Sequence, residues 1–374
     1  VKILLLYSDT GGGHRSAARA IRQAIEAEAG PGAHHIEWVD VITHYAPFPF
    51  KYLPDSYPFI IGPFQPVWAW AFHTFNHRWA SDTLSALVSP LVNGRIKRVL
   101  ADFQPDLLVS VHPLVSLSFG RYPRAQRPPL LSVVTDPITV HALWFNIGID
   151  QVIVATDEGR ACALRFGFEP ERVTTIGMPV DAAFCAPTKT KAQARAALNW
   201  HPTLPAVLIM SGGEGVGPVA EITNAIAASR LPCQVAVVAG RNEKLKAQLQ
   251  AQPWPIPVHV YGFVANVPDL MTAADVFVSK AGPGSITEAL NLGLPILLFS
   301  RIGGQEEGNV DYVIKNQVGM WTPRPAQVVE ALRQWFNDPA LLAAAAARAQ
   351  RIAHPEAARV IARHVLALGK QPPR

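Results

Sequence analysis

KILLLYSDTGGGHRSAARAI, residues 2–21, sets the reading of the whole chain. An unbroken apolar run suits a strand covered on both faces. Three glycines then allow a sharp turn and close approach of the backbone to a ligand, and the helix that follows offers unpaired N–H groups at its start. His14 puts a titratable imidazole at that junction. Three readings meet here. A dinucleotide fingerprint would place Gly11, Gly13 and Ser16 in G-x-G-x-x-G, with Glu37 or Asp40 of HHIEWVDV as the ribose-binding acid, but the last glycine position is not met. A plain tight turn with an exposed His14 is the second. A ligand site that uses the imidazole is the third.

Outward from this stretch the same pattern recurs. PDLLVSVHP, LLSVVTD and QVIVAT follow in the first half, then AVLIMSGG, QVAVVAG, PVHVYGF, ADVFVSKAG and PILLFS in the second, with helical patterns between many of them. Apolar strands alternating with helices predict an α/β fold with two doubly wound parallel sheets. APTKTKAQARAALNWHPTLP, residues 186–205, reads as a linker with a short helix. The predicted domains are 1–185, 186–345 and a pair of carboxyl-terminal helices, 346–374, broken at Pro355 and packing back across the others.

The 374 residues are 49% apolar and only 16% charged, below the usual quarter, which predicts extra buried or membrane-facing surface. No apolar run reaches the ~20 residues of a bilayer crossing. KILLLY runs into the glycine loop without a cleavage site, which predicts an intracellular protein. Cys162, Cys185 and Cys233 lack metal-ligand spacing. The net charge of +5 favours an anionic partner, and the absence of basic blocks interleaved with aromatics argues against nucleic acid.

Polar residues gather where strands end. LIMSGGEGVGPV, residues 208–219, is a second glycine turn without the Walker pattern; it is either structural or a phosphate cradle. In SKAGPGSITEALNLGLPILLF, residues 279–299, the turn Gly282–Pro283–Gly284 is expected to lead into a helix opening at Ser285, with Glu288 in its first turn. That Glu288 either complements the helix dipole or accepts hydrogen bonds from a ribose. GGQEEGNVDYV, residues 303–313, clusters Gln305, Glu306 and Asn309 in a loop suited to a sugar or to solvent. Residues 45–92 concentrate Phe59, Phe64, Trp68, Trp70, Phe72 and Trp79 beside Lys51, His73, His77 and Arg78, a composition that suits either a bulky core insertion or an interfacial segment.

Taken in order, SDTGGGHRSAARAI, VVTDPITVHALWF, LIMSGGEGVGPV, VAGRNEKL, YGFVANVPDLM, KAGPGSITEAL and GQEEGNVDYV resemble the monogalactosyldiacylglycerol synthase family and its bacterial diacylglycerol glycosyltransferase relatives. The resemblance implies a GT-B fold, two Rossmann-like domains facing across a cleft, and an inverting transfer of galactose, or of glucose, from a UDP-sugar to the 3-hydroxyl of diacylglycerol. It implies His14 as base and Asp136 as its companion. It implies Gly213 and Glu214 beside the phosphates, Phe263 and Val264 beside uracil, and Glu288 at the ribose, with Gln305, Glu306 and Asn309 at the sugar. Lys280, Gly282, Gly284 and Ser285 would hold the departing UDP. Gly12, Gly13, Trp68, Trp70, His141 and Trp144 fall on the acceptor and membrane side, where His141-Ala142-Leu143-Trp144 departs from the plant pattern His-Pro-Thr-Trp. No Asp-x-Asp occurs, so neither a metal nor another cofactor is expected. The expected partners are the donor, the lipid acceptor and anionic lipids at the cytoplasmic face of a membrane, bound peripherally. A UDP-sugar 2-epimerase on the same fold and a noncatalytic UDP-sugar-binding protein are the alternatives.

Overall fold

A computed structural model describes residues 1–9, 12–48, 50–52, 65–146 and 148–370. Gly11, Phe59 and Phe64 therefore lie outside the described residues. The chain divides into two units, the first comprising Val1–Ala182, Ile302–Gln305 and Glu356–Arg374, the second Ala183–Arg301 and Glu306–Pro355.

In the first unit the elements run β1 (Lys2–Tyr7), α1 (Gly13–Ala29), β2 (His35–Asp40), α2 (Val41–Tyr45), α3 (Gln65–Phe75), α4 (Arg78–Phe103), β3 (Leu107–Ser110), α5 (Pro113–Arg121), β4 (Leu130–Val133), β5 (Gln151–Val154), α6 (Asp157–Arg165) and β6 (Val173–Thr175). The strands form one parallel sheet in the order β2-β1-β3-β4-β5-β6. Successive residues of a strand point to opposite faces. Ile3 and Leu5 accordingly join one core with Ala18, Ile21 and Ile25 of α1, while Leu4 and Leu6 join another with Val99, Phe119 and Trp144. Each Leu or Ile so buried contributes ~1.5–3 kcal/mol, which is why apolar side chains occupy both faces of these strands.

The second unit runs α7 (Lys191–Ala197), β7 (Ala206–Met210), α8 (Val219–Ser229), β8 (Gln234–Val238), α9 (Glu243–Gln250), β9 (Val258–Tyr261), α10 (Val267–Ala273), β10 (Val276–Lys280), α11 (Pro283–Asn291), β11 (Ile296–Ser300), α12 (Glu307–Lys315), β12 (Gly319–Trp321), α13 (Pro325–Asn337) and α14 (Pro339–Ile352). Its parallel sheet has the order β12-β11-β10-β7-β8-β9, that of the doubly wound dinucleotide-binding sheets. β7 and β8 are buried throughout. The short helix read into residues 186–205 is α7, capped by Thr190 and Gln193, and its Arg195 reaches Asp275 at 2.5 Å. Beyond Pro355 the last helix, α15 (Ala357–Gly369), returns to the first unit, where Ile361, Ala362 and Val365 join the core of α1 and Arg359 pairs with Glu28 at 2.9 Å.

Two three-residue strands, β6 and β12, carry no long apolar run and are absent from the sequence reading. Ligands of such sheets bind beyond the carboxyl ends of the strands, where the winding reverses. That point lies between β1 and β3 in the first unit and between β7 and β10 in the second. The first holds the turn before His14; the second holds both glycine turns of the carboxyl half.

Candidate active site

In the first unit Gly12 adopts φ +84°, a left-handed conformation that favours glycine, and caps α1 so that His14 becomes its second residue. The ring is fixed from elsewhere. Nδ1 lies 2.7 Å from the carbonyl oxygen of Val111, just past β3, and 3.0 Å from Thr135 Oγ1, just past β4. A carbonyl can only accept, so Nδ1 carries the hydrogen and the neutral ring keeps its lone pair on Nε2.

The His112 ring stands edge-on to His14 with centroids 4.6 Å apart, and Trp144 lies at 6.3 Å. Burial pulls His14 below the ordinary histidine value, against the opposing charge of Asp136, and holds His112 well below it. Asp136 is buried, and its Oδ2 accepts from Trp144 Nε1 at 2.6 Å while Oδ1 accepts from Gln305 Nε2 at 3.4 Å. Hydrogen bonds to a charged group are worth ~1.5–3 kcal/mol, and an effective burial penalty of several kcal/mol exceeds them. The carboxyl is accordingly raised, with burial the dominant cause. Asp136 acts on His14 through charge; the orienting bonds belong to Val111 and Thr135.

Three expectations need correction. Trp144 shows no exposed surface and His141 is buried, its Nδ1 accepting from the Leu143 N–H at 3.1 Å and its ring packed on Phe72 at 4.7 Å; neither side chain reaches the outer surface that a bilayer would meet. Phe72 is itself buried, on the inner side of α3. Trp70 and Trp79, 63% and 64% exposed, do face outward, while Trp68 is half-buried. The third concerns Glu288. Pro283, whose fixed φ suits a first helical position, opens α11 two residues earlier than expected, so Glu288 falls in the second turn and the first turn carries no acid.

In the second unit a register slip between Ser279 and Lys280 sets Lys280 opposite Ser300 at the end of β10, and the chain turns at Gly282 into α11. Pro283 has no N–H, and those of Gly284 and Ser285 have no acceptor within the helix. A methyl added to Gly212, in the turn after β7, would lie 3.5 Å from Lys280 Cε, and one on Gly282 3.9 Å from its Nζ. One ammonium thus serves both turns. Glu306, buried, holds it at 3.5 Å, and buried Asn309 pins the turn by donating to the Ala281 carbonyl at 2.9 Å. Gly213 and Glu214 are exposed in the turn after β7. Arg241, which sequence reasoning did not single out although VAGRNEKL contains it, pairs with Glu214 at 2.5 Å and lies 4.7 Å over the ring of Phe263. Phe263 is 62% exposed and Val264 beside it half-buried. Among the described residues no group of three His, Cys, Asp or Glu is placed to hold a metal ion.

The two halves of the chain match different family descriptions. Residues 14–180 match Monogalactosyldiacylglycerol (MGDG) synthase and residues 216–361 the Glycosyltransferase family 28 C-terminal domain. Monogalactosyldiacylglycerol synthase 1, chloroplastic, of Arabidopsis thaliana is 35% identical over 95% of the chain and 69% of its own length. The chain belongs to the monogalactosyldiacylglycerol synthase family. A probable chloroplastic member from Nicotiana tabacum is 37% identical over 90% of the chain, which spans 64% of that relative's length. Among solved structures, UDP-GlcNAc 2-epimerase from Neisseria meningitidis aligns with a TM-score of 0.64 at 14% identity, over 98% of this chain and all of the other. MurG of Acinetobacter baumannii aligns at 0.61 and 14% identity, over 98% and 99%. These structural likenesses speak for the GT-B type of fold and for nothing finer.

Proposed function

We propose that the chain is an inverting hexosyltransferase that moves galactose from UDP-galactose to the 3-hydroxyl of 1,2-diacylglycerol, with His14 as general base. The observation that carries this reading is the bond from His14 Nδ1 to the Val111 carbonyl, because it leaves Nε2 as a fixed proton acceptor on a ring that burial keeps neutral near pH 7. The acceptor hydroxyl gives its proton to Nε2 as its oxygen bonds to the anomeric carbon. The bond from that carbon to the β-phosphate oxygen breaks, and UDP leaves with the electron pair. Inversion makes the product a β-glycoside. The imidazolium formed gains from the charge of Asp136, and a neutral His112 beside it adds no repulsion. Lys280 and the free N–H groups of Gly284 and Ser285 take the charge developing on UDP. Phe263, with Arg241 over its ring, supplies a platform for the base beside Val264, Glu288 accepts from the ribose hydroxyls, and Gln305 and Glu306 meet the sugar. Galactose is chosen over glucose because the curated relatives are named for it.

No helix among the described residues is long and apolar enough to cross a membrane. Val67, Trp70 and Phe75 of α3 and Trp79, Leu87 and Leu91 of α4 are nevertheless each 49–70% exposed. A gathering of this kind marks a contact surface, and with the exposed Arg95 and Lys97 it suits peripheral binding to an anionic bilayer. An epimerase would need no such face. Incubation with UDP-galactose and vesicles containing diacylglycerol, followed by mass spectrometry and NMR, should give a β-galactosyl lipid. A rearranged free UDP-sugar would instead establish the epimerase, and intact donor a binding protein. Trp70→Ser with Trp79→Ser should reduce sedimentation with the vesicles while UDP binding persists.

A further inference from the structure

Among the described residues, α2, α4 and α5 enclose a cavity of about 260 Å³ that has no part in the chemistry described so far. Its wall is apolar, with Ile42 from α2, Val88 and Val92 from α4, and Leu114 and Leu117 from α5. α4 turns two small side chains, Ser85 and Ser89, toward this space, which leaves room that larger side chains would fill. Ser85 is only 3% exposed, yet its Oγ has no hydrogen-bond partner among the described residues. A buried hydroxyl in that state costs ~1–3 kcal/mol unless something occupying the cavity accepts from it.

We propose that this cavity takes one acyl chain of the lipid acceptor, with Ser85 Oγ donating to the ester carbonyl. The assignment rests on the reading of the chain as a diacylglycerol glycosyltransferase. Two placements support it. The mouth is edged by Leu84 and Leu91, 40% and 55% exposed, and by exposed Arg95, so it opens on the same surface of α4 that was assigned to the bilayer. The wall helix α5 begins directly after His112, whose ring contacts His14, and at ~1.5 Å of rise per residue Leu114 lies about 3 Å further along the axis. A glycerol held with its hydroxyl at His14 would thus have the apolar wall of the cavity, from Leu114 onward, within about one helical turn of its anchor.

The test is a chain-length series of diacylglycerols, from four to twelve carbons, assayed in detergent with UDP-galactose, together with displacement of a fluorescent polyene fatty-acyl glycerol in the absence of donor. In the unaltered protein kcat/KM should rise about fourfold per added methylene and level off once the chain fills the cavity. Val88→Phe should move the plateau to shorter chains and weaken the probe about tenfold. Leu91→Trp at the exposed mouth should do the same without a risk to folding, and Ser85→Ala should weaken every ester acceptor about equally. UDP affinity should not change in any of the three. Transfer with the same chain-length profile in all variants would overturn the cavity assignment and leave the enzymatic reading standing. Probe binding that the substitutions weaken, without transfer to any acyl glycerol, would defeat the enzymatic reading and keep the cavity as an acyl site. A concentration-dependent dimer dissolved by Leu91→Trp, with no probe displacement, would give the face to a second copy of the chain and overturn the proposal.

Discussion

Two glycine turns, Gly12–Gly13 after β1 and Gly282–Gly284 after β10, each end a strand at the switch point of a parallel sheet and open a helix. Their backbones offer a ligand the same thing, unpaired N–H groups at a positive helix end. The side chains differ. The first helix carries His14 in its opening turn, tied at Nδ1 and free to titrate at Nε2. The second opens with Pro283, has no acid in its first turn, and is overlooked by the ammonium of Lys280. On the proposed reading one junction moves a proton and the other holds an anion, so that the backbone device selects where a ligand sits and one or two side chains beside it select the chemistry.

The largest effect that can break this division is expected from His14→Ala. Turnover should fall by about 100-fold or more, the scale of lost general-base help, while UDP affinity measured by calorimetry stays within about twofold. A parallel loss of UDP affinity would mean that both turns serve the nucleotide. Next in size, Glu288→Ala should weaken UDP by about tenfold, as expected for hydrogen bonds to a carboxylate, and Gln305→Ala should weaken the sugar-bearing donor but not UDP. Equal losses for both ligands in both variants would remove the assignment of ribose to one and sugar to the other.

Glycines sharpen the contrast between fold and ligand. A methyl on Gly215, at φ +58°, would lie 2.0 Å from the Ala239 carbonyl oxygen, so Gly215→Ala should cost about 2 kcal/mol or more in a thermal melt. Gly13 and Gly284 have ordinary φ, and a methyl on either meets nothing within 4 Å. The fold does not ask for glycine there. Gly13→Ala and Gly284→Ala should therefore leave the melting temperature unchanged, the first lowering transfer and the second UDP affinity. A destabilised Gly13→Ala protein with normal transfer would make that glycine structural.

Most of the architecture was legible because strands buried on both faces must be apolar throughout, and AVLIM, QVAVV and LLVS could be nothing else between helices. β6 and β12 were not, since three residues at a sheet edge need no such run. His14 was legible as a candidate from its glycines alone. What holds it was not, because Val111 and Thr135 arrive from strands 97 and 121 residues away in the chain. Trp144 and Phe72 misled for a related reason. An aromatic side chain suits a membrane face or a core equally well by composition, and only the packing of α3 and of the 136–146 segment turns these two inward while leaving Trp70 and Trp79 outside. Glu288 was misplaced by a helix start that Pro283 moves two residues back.

The smallest expected effect concerns the pH at which the base is lost. The charge of Asp136 raises the His14 pKa against the larger lowering by burial, so Asp136→Asn should move the acid limb of kcat/KM further down in pH. Movement upward would show that Asp136 does not face the ring as a carboxylate.

The pH dependence of kcat/KM in the unaltered protein and in His14→Ala, measured side by side with UDP-galactose and diacylglycerol, tests the central claim most directly. Because burial lowers His14, the unaltered protein should keep full activity at pH 7 and lose it only as pH falls through a value below the ordinary ~6.5, while the residual activity of His14→Ala should show no such limb. The same acid limb in both proteins would contradict the account, because the proton acceptor would then be a different group.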